Sequence, residues 1–358
     1  MAERVVLHVG PRKTATTYLQ RALQSLVRSR EIPADLYPIR TRGRIDHNHV
    51  PGLIDLARSR GEIGLQQDAW TQQDGSDAES LLSAVSAASG DVILSAEAMS
   101  VLQASGAQAV VDALSPAPVE VIITARALDR VLPSSWQQHM RNGNFEAYDA
   151  YLALRAEERS SRIYETELGR AFWRAYRYGD LVRRWQGVAR SVSVVTVPTS
   201  SADPAETWRR FRAACAVEAL PIAPPEIPDD RANISLTGAE TFAIFGLNLA
   251  ARAAGRGRRE VRAMHRTLLR EGWTDRADRG PRLGLPPALR PEVRTWAGED
   301  LDALRATGVA VYGSLDDLRC TADDADPGVP SADQVAAASG AALALLFDER
   351  SADNSDDD

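Results

Sequence analysis

Four short apolar runs, rich in β-branched residues and separated by stretches of helical periodicity, constrain this chain more than any other feature. Val5–Val9 ends at Gly10, Asp91–Leu94 follows Gly90, Val119–Thr124 follows Pro116 and Pro118, and Ser191–Val197 reads SVSVVTV. Continuous apolar runs of this length suit strands covered on both faces, as in a parallel sheet. The intervening segments supply the crossovers that parallel strands need, the first with Leu19, Ala22, Leu23 and Leu26 at helical spacing. The expected fold class is α/β, a doubly wound parallel β-sheet flanked by helices, with a further β-like piece at Leu36–Ile39.

Helices are expected over Ala78–Ala88, Asp129–Arg141, Arg162–Val188 and Ala205–Ala219, after a polar surface turn around Trp70–Ser80. The stretch ALPIAPPEIPDD is a Pro-rich connector, and Leu236–Glu271 and Pro291–Thr307 have helical periodicity beyond it. The organisation expected is an α/β core over 1–232, a helical C-terminal extension over 233–345 packed on it, and a disordered acidic tail over 346–358 ending in SADNSDDD.

A net charge of -7 argues against a general nucleic-acid binder, which needs a basic surface. Cys215 and Cys320 lie far apart with no metal-ligand spacing around them, so neither a disulfide framework nor a zinc site is expected. The N-terminal apolar run is too short for a signal peptide's core or a membrane span. A cytoplasmic protein with no nucleic-acid or membrane partner is the expectation.

Lys13 is the only lysine among 42 lysines and arginines. It stands where the first strand passes through Gly10 into the loop PRKTATT and then a helix. The amides and positive dipole end of a helix N-terminus attract an anion, and the hydroxyls of Thr14, Thr16 and Thr17 add donors. A lysine contributes a compact point charge where an arginine fork is too wide. The loop is P-loop-like without being a nucleotide-hydrolase P-loop, because Arg12 rather than glycine precedes the lysine and only Gly10 lies upstream.

The segment His8–Gln20 resembles the 5'-phosphosulfate loop of bacterial sulfotransferases that use 3'-phosphoadenylyl sulfate, with the pattern H-[IV]-G-x-x-K-T-[GA]-T-[TS]-x-L-Q. Ala15 occupies a position where glycine is commoner in that family. The resemblance implies that Arg12, Lys13, Thr14, Ala15, Thr16 and Thr17 bind the sulfuryl donor, with Lys13 also catalytic. It further implies that Arg126, after the strand VEVIIT, and Ser134 together hold the 3'-phosphate. Taken alone, the same two residues read equally as a surface arginine and an ordinary helix serine.

In DVILSAEAMS the family places its catalytic base just after the strand, where this chain has Glu97. Its alternative reading is a glutamate favoured by a helix N-terminus. His49, in RIDHNHV with His47, is a rival base, and a His-x-His metal fragment lacks a third ligand at suitable spacing. The segment RANISLTGAE also resembles one in the family, with Asn233 and Ser235 near the nucleotide, although Ser235 or Thr237 equally suits a helix N-cap. The implied reaction is sulfuryl transfer from 3'-phosphoadenylyl sulfate to a hydroxyl or amine of a small-molecule or carbohydrate acceptor. Adenosine 3',5'-bisphosphate is the product, and no metal is called for. A P-loop nucleotide-dependent kinase and a non-catalytic phosphoadenosine-binding protein stay open as alternatives, and the sequence does not specify oligomeric state.

Overall fold

The structure is a computed structural model that describes residues 1–39, 49–58, 76–167, 170–199, 204–227, 236–268, 273, 279–321 and 328–353. In chain order the first elements are β1 (Val5–His8), α1 (Thr16–Arg28), α2 (Val50–Arg58), α3 (Ser76–Ala87), β2 (Val92–Ser95), α4 (Ala104–Leu114) and β3 (Val119–Ala125). There follow α5 (Leu128–Arg141), α6 (Tyr148–Ser161), α7 (Phe172–Tyr176), α8 (Tyr178–Gln186), β4 (Ser191–Thr196) and α9 (Pro204–Cys215). The last are α10 (Gly238–Ala253), α11 (Arg258–Thr267), α12 (Arg290–Arg305), β5 (Ala310–Tyr312) and α13 (Ala332–Asp353). The chain divides into two compact units, one of Met1–Leu128, Arg155–Ile227 and Arg294–Cys320, the other of Asp129–Leu154, Pro228–Val293 and Thr321–Asp358.

The first unit is α/β. Its five strands are all parallel in the order β2-β1-β3-β4-β5. From β1 the chain winds to β2 on one side, then crosses to β3 on the other and continues outward. The winding reverses between β1 and β3, and ligands of open parallel sheets bind outside the carboxyl ends of the strands at such a reversal. All four residues of β1 and of β2 are buried, as the continuous apolar runs require. Val6, Ile93, Ile122 and Val195 pack with Leu19, Leu23 and Leu26 of α1 and Trp208 and Phe211 of α9. Strand residues of the other parity, Leu7, Val121, Ile123 and Val194, are buried too, and α8 lies against β3 and β4.

Within the first unit two details depart from the sequence expectation. Leu36–Ile39 is not a strand; Leu36 and Tyr37 are buried, and the Leu36 carbonyl accepts a single bond from the Ile93 amide at 2.6 Å. Pro33 and Pro38 bracket this stretch, and proline cannot donate to a ladder. Conversely, β5 was not anticipated. Its three residues are only half-buried to exposed at the sheet edge, so no apolar run advertises it.

In the second unit Trp136, Tyr148 and Phe242 stack within 4.8–6.4 Å of one another. Thr237 caps α10 in a reciprocal box with Glu240, the cap reading of that segment, and the buried Glu240 pairs with Arg279 at 2.7 Å. Asn233 and Ser235 lie outside the described residues. The tail expected from 346 onward is helical in α13 as far as Asp353, where Ala342–Phe347 provides strong helix formers. No described helix is long and apolar enough to cross a membrane.

In the first unit α8 and α12 meet at Gly179, where an added Cβ would stand 2.7 Å from the Ala303 carbonyl carbon and 2.9 Å from its oxygen. Gly179→Ala is expected to force the two helices apart and cost about 1–3 kcal/mol. A lower urea midpoint at unchanged slope is the readout.

Candidate functional site

The turn after β1 is shaped by space at one end and by backbone handedness at the other. A Cβ on Gly10 would lie 1.8 Å from Thr124 Oγ1 and 2.6 Å from His8 Nε2, so only glycine lets the chain leave the strand here. Beyond it, Lys13 (φ 68°) and Ala15 (φ 65°) adopt the left-handed region while Thr14 between them does not. Backbone that alternates in handedness turns successive N–H groups into one concavity, which suits an anion. Ala15 is the N-cap of α1 and offers no side-chain oxygen to the helix amides, and the first turn holds no acidic residue. The positive end of α1 therefore opens onto that concavity with no side chain capping it.

Two of the three threonines expected to face the ligand point inward. Thr14 is fully buried and its hydroxyl donates to the Pro11 carbonyl at 2.6 Å while bonding Thr124 Oγ1 at 2.7 Å. Thr16 donates to the carbonyls of Gly10 and Pro11 at 3.2 and 3.1 Å. Each hydroxyl has one proton, and these are committed to the loop's own carbonyls. Thr17 and Arg12 are exposed, and Lys13 and Ala15 are half-buried. The donors this turn presents are thus backbone amides, the Arg12 guanidinium, the Lys13 ammonium and the Thr17 hydroxyl.

Arg126, directly after β3, joins the turn: its Nη1 donates to the Lys13 carbonyl at 3.2 Å. The buried Tyr178 holds it from behind, accepting from the Arg126 amide at 3.0 Å and donating to the Arg126 carbonyl at 2.9 Å. Burial pushes the Tyr178 phenol up from its usual pKa, so it stays a neutral donor. Tyr176 donates to the Arg12 carbonyl at 2.7 Å. Both tyrosines escaped sequence reasoning because they sit among the apolar positions of an amphipathic stretch. Ser134 belongs to the second unit, on α5, where its hydroxyl donates to the Arg130 carbonyl at 2.7 Å.

Glu97 follows β2 and begins a 3₁₀ turn, Glu97–Val101; its side chain is half-buried and accepts from Gln20 Nε2 of α1 at 3.3 Å. His49 is placed differently from a free base. Its Nδ1 accepts from the Ser95 amide at 3.0 Å and its Nε2 donates to the Pro38 carbonyl at 2.7 Å. The amide can only donate and the carbonyl only accept, so His49 is held as the neutral Nε2–H tautomer with both ring nitrogens engaged. It fastens the end of β2, edge-on to Tyr37 at 4.8 Å. His47 lies outside the described residues. Among the described residues no group of three or more His, Cys, Asp or Glu could hold a metal.

No family model and no curated protein matches the chain. Among solved structures, a sulfotransferase from Alicyclobacillus acidocaldarius aligns with 16% identity and a TM-score of 0.47, over 86% of this chain and 96% of that one.

Two expectations follow from the geometry. Left-handed backbone costs a residue other than glycine about 1–2 kcal/mol, against roughly 0.5–1 kcal/mol of extra chain entropy for glycine. Ala15→Gly should leave the melting temperature unchanged or slightly raised, while a β-branched Ala15→Val lowers it. His8 is wholly buried, and burial lowers its pKa from 6.5 to about 3. Between those values the unfolded chain binds the extra proton, so stability should fall as pH drops below 6.5, by at most about 1.4 kcal/mol per pH unit. His8→Gln, which keeps a donor and an acceptor but cannot titrate, should remove that part of the acid sensitivity in urea titrations from pH 7 down to about pH 4.

Proposed function

We propose that the protein is a sulfotransferase that takes a sulfuryl group from 3'-phosphoadenylyl sulfate and passes it to a hydroxyl or amine of a small-molecule or carbohydrate acceptor. The observation that carries the reading is the joining of the sole lysine's turn to Arg126 across the winding reversal of the sheet, through the Arg126–Lys13 hydrogen bond. The turn's chemistry fits a terminal anion: alternating backbone handedness, an N-cap without a side-chain oxygen, and a single ammonium. Two anion-binding groups of different geometry, a point charge after β1 and a planar fork after β3, suit a ligand with an anion at each end.

When bound, the donor supplies an activated sulfuryl group on a phosphate leaving group. The residues of this chain are assigned as follows. The Lys13 ammonium and the loop amides neutralise charge that builds on the oxygen between phosphorus and sulfur, a preorganised electrostatic role. Thr17 adds a hydroxyl donor, and the backbone of Arg12, Thr14, Ala15 and Thr16 builds the cradle. The Arg126 guanidinium pairs with the 3'-phosphate. Glu97 takes the acceptor's proton. His49 supports the end of β2 instead, since its Nδ1 lone pair already accepts the Ser95 amide.

A thermal melt with adenosine 3',5'-bisphosphate tests donor-site binding. At about 100 times its dissociation constant the nucleotide should add about 2.7 kcal/mol of stability. Arg126→Ala should lose most of that gain. With 3'-phosphoadenylyl sulfate and a panel of phenols, amines and sugars, Lys13→Ala should lower turnover about a hundredfold or more. Glu97→Gln should keep nucleotide binding and lose turnover; normal turnover in that variant removes Glu97 from the base role.

A further inference from the structure

A buried series of polar side chains runs from the turn to Glu97, and its proton directions follow from its two ends. Pro11 contributes a carbonyl, which can only accept, so the Thr14 hydroxyl spends its proton there at 2.6 Å. Thr14 Oγ1, 2.7 Å from Thr124 Oγ1, must then accept the Thr124 proton. Thr124 Oγ1 in turn accepts from His8 Nε2 at 3.2 Å, which puts the imidazole proton on Nε2. His8, neutral because it is wholly buried, is left with an unprotonated Nδ1 that accepts from the Ser95 hydroxyl at 2.9 Å. Ser95 Oγ accepts from Gln20 Nε2 at 3.1 Å, and the same amide nitrogen donates to Glu97 Oε2 at 3.3 Å. A carboxylate at the far end accepts and does not donate, so Gln20 must turn its nitrogen toward it. Both ends demand the same direction throughout.

We propose that Gln20 is a positioning residue that aims the Glu97 carboxylate, its amide held in one orientation by the hydrogen-bond series that begins at the Pro11 carbonyl of the anion-binding turn. The idea rests on the sulfotransferase reading for what Glu97 does, but not for how Gln20 is held. Gln20 is 1% exposed and lies on α1 one turn beyond Thr16, so the helix that opens the anion site also carries the residue that fixes the base. Gly10 belongs to the same device, because a Cβ there would strike Thr124 Oγ1 and His8 Nε2, two consecutive members of the series.

The test has two arms. In the first, the wild-type protein with ¹⁵N-labelled histidine is examined by NMR, the His8 signals being assigned by their loss in His8→Gln. The expected result is one neutral tautomer with the proton on Nε2; a proton on Nδ1 reverses the direction of the series and overturns the proposal. In the second, Gln20→Met keeps the side chain's length and loses the donor. Turnover of 3'-phosphoadenylyl sulfate should fall about tenfold to a hundredfold, the worth of a hydrogen bond to a charged group, with adenosine 3',5'-bisphosphate affinity changed by about twofold or less. Full turnover in Gln20→Met would mean that the side chain only fills space, and would also overturn the proposal. If the wild-type protein binds no bisphosphate, the sulfotransferase reading fails by itself, and the His8 tautomer still decides whether Gln20 is held as described.

Discussion

The close approach of two strand ends, those of β1 and β3, around Gly10 governs the site. His8 of β1 and Thr124 of β3 come so near the Gly10 Cα that no side chain fits there, which places two polar side chains in a fully buried position. Buried polar groups are costly unless satisfied, and here they satisfy each other and the loop carbonyls. The outcome is a turn whose interior is cross-linked by hydrogen bonds and whose outward side carries Arg12, Lys13 and Thr17. The left-handed backbone at Lys13 and Ala15 is unfavourable in isolation, and such strain persists where the surroundings over-determine it.

From that turn the architecture extends in two directions. Toward β3, Arg126 donates to the Lys13 carbonyl and is gripped from behind by Tyr178, while Tyr176 grips the Arg12 carbonyl. Two tyrosines, the last residue of α7 and the first of α8, thereby hold both segments proposed to bind anions, each through a phenol that binds backbone. Such contacts hold carbonyl positions whatever side chains the loop bears. Toward β2, the hydrogen-bond series passes through His8, Ser95 and Gln20 to Glu97, while His49 secures the backbone of Ser95 from the other side.

How much of this could be read beforehand depended on how local each feature is. The four strands and the lysine turn were legible because each is a contiguous stretch with its own periodicity or composition. Lys13 lies in the turn that leaves β1 and Arg126 directly follows β3, so the doubly wound topology alone brings them to one edge. The inward turn of Thr14 was not legible, since it depends on Thr124, which is remote in sequence and becomes a neighbour only through the β1–β3 register. Tyr178 reads as one more apolar position of an amphipathic helix, and nothing nearby signals that its hydroxyl reaches Arg126. His49 reads as a rival base in the sequence because its partners, the Ser95 amide and the Pro38 carbonyl, are backbone atoms that no side-chain pattern announces. Gln20 stood in the family pattern, but its role appears only once Ser95 and Glu97 are beside it.

In the proposed function a nucleotide with an anion at each end is clasped between the β1–α1 turn and the residue following β3. A crystal structure with adenosine 3',5'-bisphosphate bound tests it most directly. The 5'-phosphate is expected against the amides of residues 13–17 and the Lys13 ammonium, with the 3'-phosphate on the Arg126 guanidinium. Nucleotide bound at any other place, or none bound at saturating concentration, would contradict it.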